Sequence, residues 1–203
     1  MYLHANNISF AYNKKRDILK NLSISIPNNK IIGLIGDSGT GKSTLCKIMA
    51  GYIQNYTGTV SLDKNLIKTK KHYPVQLIFQ HPEKTMNPKW KMKKVLEESW
   101  SPPQELRDIF GLKENWLTRW PSELSGGELQ RFSILRALNP ETKFIIADEI
   151  STMLDSVTQV QIWDALIDYC KKNKIGILAV SHDKDLLNVV ADDIIDFNQI
   201  NKL

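Results

Sequence analysis

The sequence predicts an α/β fold with a parallel sheet at its centre, and three observations carry that expectation. Short apolar runs at Ile31 to Ile35, Lys143 to Ala147 and Ile175 to Val180 are what a strand covered on both faces requires. Helical periodicity stands between the last two, with Val157, Val160, Trp163, Ile167 and Cys170 forming a stripe. The first run feeds straight into a glycine-rich loop, after which Leu45, Ile48, Met49 and Ile53 recur at helical spacing, an order of strand, loop and helix.

The remaining elements follow from the same patterns. Ile8 to Tyr12 and Leu22 to Ile26 read as strands, the second closed by Pro27-Asn28-Asn29, and Thr59 to Leu62 and Val75 to Phe79 read as two more. Met92 to Trp100, Gln104 to Phe110 and Glu128 to Leu138 read as helices, with Pro82, Pro88 and Pro102-Pro103 as punctuation. The expected organisation is one domain over 1–203. Residues 1–80 supply a β subdomain and the loop-bearing core, 81–135 a mainly helical insert, and 136–203 the rest of the α/β core. No internal repeat, low-complexity tract or long linker interrupts it.

At 203 residues and 42% hydrophobic, the chain suits a single compact domain. Lys and Arg number 27 against 22 Asp and Glu. The lysines are scattered, and their densest patches, Lys14 to Arg16, Lys68 to Lys71 and Lys89 to Lys94, read as solvated surface, so no nucleic-acid partner is expected. Cys46 and Cys170 lie far apart in helical stretches without metal-ligand spacing, which suits reduced thiols in a reducing cytosol. The opening Met-Tyr-Leu-His-Ala-Asn-Asn lacks a basic or apolar leader, and no run approaches the ~18 apolar residues of a membrane helix. A cytosolic chain is expected, reaching a membrane only through a partner.

Gly36-Asp37-Ser38-Gly39-Thr40-Gly41-Lys42-Ser43 fits GxxxxGK[ST] in full, between a buried strand and an amphipathic helix. The glycines let backbone N–H groups from about Gly39 to Thr44 turn toward phosphate, and the helix N-terminus adds its partial positive charge. Gly36, Ser38, Gly39, Thr40, Gly41, Lys42, Ser43 and Thr44 are therefore candidate nucleotide contacts, Lys42 toward the β- and γ-phosphates and Ser43 toward Mg2+. A second buried run ends in Asp148-Glu149. Two adjacent acids at a strand end repel unless a cation intervenes, which suits Asp148 to Mg2+ and Glu149 to orienting or deprotonating a water. Kinase, switch GTPase and transport ATPase all remain open at this point.

Leu124-Ser125-Gly126-Gly127-Glu128-Leu129-Gln130-Arg131 resembles the signature motif of ABC ATPases and stands ahead of Asp148-Glu149, as in that family. Physically it is a second anion site at a helix start, and equally an ordinary N-cap with Glu128 closing a capping box; both readings can hold together. The resemblance covers essentially the whole chain. It implies a P-loop NTPase of ABC ATPase type, with a RecA-like core, an N-terminal antiparallel β subdomain and a helical insert.

By that resemblance Tyr12 stacks on adenine, with Phe10 as the competing candidate. Gln80 is the Q-loop glutamine reaching Mg2+ or the water, Ser151 to Asp155 is the D-loop with Asp155 at a subunit junction, and His182 contacts the γ-phosphate. Ser125, Gly126 and Gly127 cover ATP held by a second ATPase subunit, identical or different. Glu149, His182, Gln80 and Lys42 form the catalytic set, and Ser43, Gln80 and Asp148 the metal set. Permease subunits, and with them a solute-binding protein, are implied on the inner face of the membrane.

Phe79 to Trp90 and Asp148 to Asp155 look most like the dipeptide, oligopeptide and nickel importer group, which tolerates Ile150 in place of the usual proline. That group commonly carries a C-terminal extension, whereas 21 residues follow His182, so a nickel or metal-chelate subunit fits better than a long peptide-importer one. The rival readings are an ABC ATPase of an export or lipoprotein-release system and a non-transport ABC ATPase. The latter class carries a long coiled-coil insert or a tandem cassette, and the 44 residues between Gln80 and Ser125 leave no room for such an insert.

Overall fold

Alternating apolar residues near the start of the chain form two antiparallel strands, β1 (Tyr2–Phe10) and β2 (Leu19–Pro27), in a computed structural model that describes residues 1–13, 16–67, 72–152 and 154–201. Lys14, Lys15, all of Lys68 to Lys71 and the D-loop's Met153 lie outside the described residues. Both strands begin earlier than their sequence suggests. Asn7 and Asn21 adopt φ of 52° and 49°, and the pairing slips between Ala5 and Ile8. Each Asn inverts the parity of the apolar positions, so Leu3 and Ala5 are out of phase with Ile8, and Leu19 with Leu22.

The chain divides into two compact units, the first comprising Met1–Leu77, Thr142–Asp148 and Cys170–Leu203, the second Ile78–Glu141 and Glu149–Tyr169. In the first unit β3 (Ile31–Ile35), α1 (Lys42–Met49), β4 (Thr57–Leu62) and β5 (Asn65–Leu66) follow, and one antiparallel sheet has the order β2-β1-β4-β5. A second sheet uses β6 (Val75–Ile78), β7 (Phe144–Asp148), β8 (Gly176–Val180) and β9 (Asp193–Asp196) in the order β6-β7-β8-β3-β9. The pairs β7–β8, β8–β3 and β3–β9 are parallel. Every residue of β7 and β8 is buried, as their unbroken apolar runs require.

Register matters more here than burial. Val180 of β8 lies opposite Leu34 of β3 on one side and Asp148 of β7 on the other. Three neighbouring parallel strands therefore end in one row, where ligands of open α/β sheets collect. α1 stops at Met49, short of Ile53, because Gly51 takes φ 78° just beyond its end.

In the second unit, α2 (Met92–Leu96), α3 (Gln104–Ile109), α4 (Gly126–Ala137) and most of α5 (Ser156–Asn173) supply the helices. Phe110 and Phe132 are fully buried. The Trp100 indole donates to Leu135 O at 3.0 Å, while Arg136 pairs with Glu98 and donates to Thr85 O at 3.3 Å, fixing α4 to its surroundings. Residues 149–169, assigned by sequence to the α/β core, cluster here because Trp163 donates to Ser151 Oγ (3.2 Å) and Arg131 of α4 to Gln161 (3.4 Å). The buried stripe of α5 is Ile162, Trp163, Leu166 and Cys170; Val157 and Val160, expected on it, are 67% and 59% exposed. The remaining helices, α6 (Lys184–Val190) and α7 (Phe197–Ile200), belong to the first unit.

Candidate functional site

The turn from β3 to α1 is held in a conformation open only to glycine. Gly39 and Gly41 take φ of 78° and 111°. A Cβ on Gly41 would lie 3.1 Å from both the Ile18 carbonyl oxygen and its Cγ2, whereas a Cβ on Gly39 would meet nothing within 4 Å. Gly39 is needed for its dihedral alone, and Gly41 for dihedral and close approach together. The Lys42 side chain, 6% exposed, folds back so that its Nζ donates to Gly36 O (2.7 Å) and Asp37 O (2.8 Å). This places a full positive charge inside the loop's curve. The loop's Thr40 hydroxyl donates to Asp37 O at 2.8 Å.

Around the loop the first unit gathers three further candidates. His182, two residues past β8, lines a cleft of roughly 620 Å3 together with Gly36, Asp37, Ser38 and Lys184. Tyr12 is 64% exposed; its hydroxyl lies 3.4 Å from Thr44 Oγ1, and its ring meets Phe10 edge-on at 4.8 Å. An exposed ring beside the α1 N-terminus suits a stacking surface, and core packing does not describe Tyr12. Asp148 is 7% exposed at the end of β7, and α1 packs on that strand. Its charge is felt by Cys46, whose thiol is held well above the ordinary range by burial first and by Asp148 second.

Mg2+ takes oxygen ligands and keeps several of its waters. The exposed hydroxyl of Ser43, one turn before Cys46 on α1, and the Asp148 carboxylate are donors of that kind, brought onto neighbouring elements. The residues fit the ion.

The second unit holds the other candidates in two groups. Gln80 Nε2 donates to Glu149 Oε2 at 3.0 Å and to Thr152 Oγ1 at 3.3 Å, and the Thr152 hydroxyl donates to Glu149 O at 3.1 Å. Glu149 has φ 51°, the left-handed region that a residue with a Cβ enters at a cost of about 1–3 kcal/mol unless its surroundings hold it there. In the other group, Ser125 caps α4: its Oγ accepts from Glu128 N at 3.3 Å, and Glu128 Oε2 accepts from Ser125 N at 2.7 Å. The N-cap reading of the motif is thus present in full, and Gly126 faces open space with nothing within 4 Å of a Cβ.

A Cβ on Gly127 would lie 3.3 Å from Leu154 Cδ2, so the signature stretch and the D-loop adjoin. Asp155 Oδ1 accepts from Thr158 N at 3.0 Å, and the two hydrogen bonds from Thr158 hold its carboxyl below the usual range. Arg131, the last residue of the signature stretch, donates to Phe110 O at 2.6 Å. Burial lowers its guanidinium pKa, with Asp155 and Glu128 acting in the opposite sense. Sequence reasoning also gave no role to Thr152 or to Asp183, whose carboxylate caps α6 by accepting from Asp185 N and Leu186 N. The polar residue directly before a helix was the available sign of Asp183, and Thr152 stood in the sequence only as one residue of the D-loop stretch.

The family profile described as ABC transporter matches residues 19–152. The chain belongs to the ABC transporter family. It is an ATP-binding cassette and an ATPase. Nickel import system ATP-binding proteins from strains of Staphylococcus aureus are 32% and 31% identical to the cassette over 206 residues, 95% of this chain and 85% of theirs. A solved ATP-binding subunit of an ABC transporter superposes on the cassette with a TM-score of 0.80 at 18% identity, covering 97% of this chain and 85% of that one. A dimeric cassette in a post-hydrolysis state bound to ADP and Pi gives 0.78 at 23%, covering 96% and 93%. These structural likenesses establish the cassette's fold as that of an ABC ATPase. Among the described residues, no helix is long and apolar enough to cross a membrane.

Proposed function

We propose that the cassette powers uptake of nickel, a metal chelate or small peptides, working as one of two ATPase subunits beneath membrane permease subunits that receive cargo from a solute-binding protein. The observation that carries this reading is the 32% identity to nickel import ATP-binding proteins over 95% of the chain. The resemblance of Phe79 to Trp90 to the nickel and peptide importer group supports it. The cassette would then sit on the cytoplasmic face of the membrane through the permease.

In this reading Lys42 and the loop amides bind the β- and γ-phosphates, and Tyr12 stacks on the base. Ser43, Asp148 and Gln80 would hold Mg2+, which when bound would offset the negative charge of the phosphates. Glu149 takes a proton from the attacking water while Gln80, its hydrogen-bond partner, orients it, and His182 contacts the γ-phosphate. Ser125, Gly126 and Gly127 present a hydroxyl and a helix N-terminus to ATP on a second subunit, with Asp155 at the junction. Binding the γ-phosphate from both sides makes ATP part of the dimer interface, and hydrolysis removes that differential affinity.

The test is purification of the tagged chain from detergent-solubilised membranes of its source, together with uptake of 63Ni and of a radiolabelled dipeptide by cells lacking the chain. Copurification of permease and solute-binding subunits, and loss of nickel or peptide uptake, is the expected result. A partner with fused export-type membrane helices, or unchanged uptake of both cargo classes, would overturn the importer reading.

A further inference from the structure

The short helix α7 touches the phosphate loop at several points. Phe197 is fully buried, with its Cβ 3.0 Å from where a Cβ on Gly36 would stand. Asn198 Nδ2 donates to Asp37 Oδ2 at 3.5 Å. Asn201, directly after the helix and 7% exposed, spans the gap between the loop and β2. Its Oδ1 accepts from Lys20 N (3.0 Å), and its Nδ2 donates to Ile18 O (3.0 Å) and Thr40 O (3.5 Å).

These bonds bear on phosphate through the geometry of the peptide group. In a trans peptide the C=O of one residue and the N–H of the next point in opposite directions. Thr40 O, drawn toward Asn201, therefore turns the Gly41 N–H the other way. Lys42, by holding Gly36 O and Asp37 O, does the same for the N–H groups of Asp37 and Ser38. Ile18 O, the second acceptor of Asn201, is also the atom that a Cβ on Gly41 would meet at 3.1 Å. One amide thus fixes the Gly41 peptide plane directly and the surface it rests on. Fixed dipoles bind an anion better than dipoles that must first be ordered, because the ordering entropy is already spent.

We propose that Asn201 is a positioning residue for nucleotide: from behind the phosphate loop it aims the Gly41 peptide at the phosphates. This rests on the loop's own role in binding ATP. Asn201 touches no substrate in this scheme, so its effect belongs in affinity and not in turnover.

The test uses the full chain with Asn201→Ala and the isosteric Asn201→Asp, which keeps the acceptor for Lys20 N and loses both donations. Val190→Ala, a cavity in α6 (Val190 is 8% exposed), serves as a control for general destabilisation. Titration with mant-ATP and steady-state ATPase assays are run on all four proteins beside a thermal melt. Loss of the amide's hydrogen bonds is expected to raise Kd and KM roughly fivefold with kcat within about twofold, while Val190→Ala lowers Tm and leaves Kd in place. A wild-type Kd in both Asn201 variants, or an equal rise in Val190→Ala, overturns the proposal. If Asn201→Ala does not fold, the uncharged, near-isosteric Asn201→Leu takes its place, because the charge of Asp alone would weaken phosphate binding. Failure of the unaltered chain to bind mant-ATP would instead strike the phosphate-loop reading, and this proposal with it.

Discussion

Gln80 Nε2 and Glu149 Oε2 are 3.0 Å apart, the amide donating to the carboxylate, and Thr152 closes the group by accepting from Gln80 and donating to Glu149 O. Two residues 69 positions apart in sequence, one after β6 and one after β7, are thereby held as a pair before any water or phosphate is considered. The role proposed for Glu149 needs a carboxylate that is oriented as well as present, and an amide donor supplies that orientation.

Glu149→Gln is expected to bind ATP with near-native affinity and to lower turnover by about 10²–10⁴-fold, the usual contribution of a general base. The variant should accumulate as an ATP-bound dimer, read by gel filtration with and without nucleotide. Undiminished hydrolysis would remove Glu149 from the mechanism.

Gln80→Glu would set a second carboxylate against Glu149 where an amide now donates, and like charges at this distance repel. Turnover should fall below that of Gln80→Ala, which removes the amide and adds no charge. Equal turnover in the two variants would contradict the pairing.

Ser125→Asp separates the two uses of one hydroxyl. Asp is as good an N-cap as Ser, so the melting temperature should hold to within about 2–4 °C, the shift that ~1 kcal/mol produces in a domain of this size. Its negative charge would repel a phosphate, so nucleotide binding by the monomer should persist while cooperative hydrolysis disappears. A cooperative, active Ser125→Asp enzyme would reduce Ser125 to a cap.

The two loop glycines should differ in their response to Ala. At Gly39 only the dihedral is at issue, and a loss of about 1 kcal/mol is expected; at Gly41 the contacts with Ile18 add to it, and the loss should exceed about 2 kcal/mol. Urea unfolding of the two variants gives the order directly.

Cys46 and Cys170 should resist thiol reagents at pH 8 in the native chain and react fully in urea. Burial raises both thiols, Cys170 to about 12, so the folded chain holds their protons longer than the unfolded chain does. The associated stability is complete below the unfolded pKa near 9 and is lost as pH rises toward 12. Rapid native labelling would contradict the burial.

Much of this was legible in sequence because it is written in local pattern. The loop Gly36 to Ser43 and the buried runs before Asp148 and His182 are contiguous, and parallel pairing then aligns their ends without further information. The early starts of β1 and β2 were hidden, because a left-handed Asn7 or Asn21 reverses the alternation on which strand recognition depends. The α5 stripe was misplaced toward Val157 and Val160 because periodicity marks which residues are apolar, not where the neighbouring elements end. The Gln80, Thr152 and Glu149 group, and the reach of Asn201 to Thr40, are contacts across 69 and 161 positions; only the folded chain contains them.

The backbone at Glu149 has a further consequence. With φ at 51° the position is one that Asn or Gly occupies at lower cost, so Glu149→Asn should make the chain more durable by up to about 1 kcal/mol. The acid stands there at the expense of the fold. With the role proposed for Glu149, durability and turnover pull against each other at a single dihedral, and an effort to harden this chain for use at higher temperature would meet its limit at that residue first.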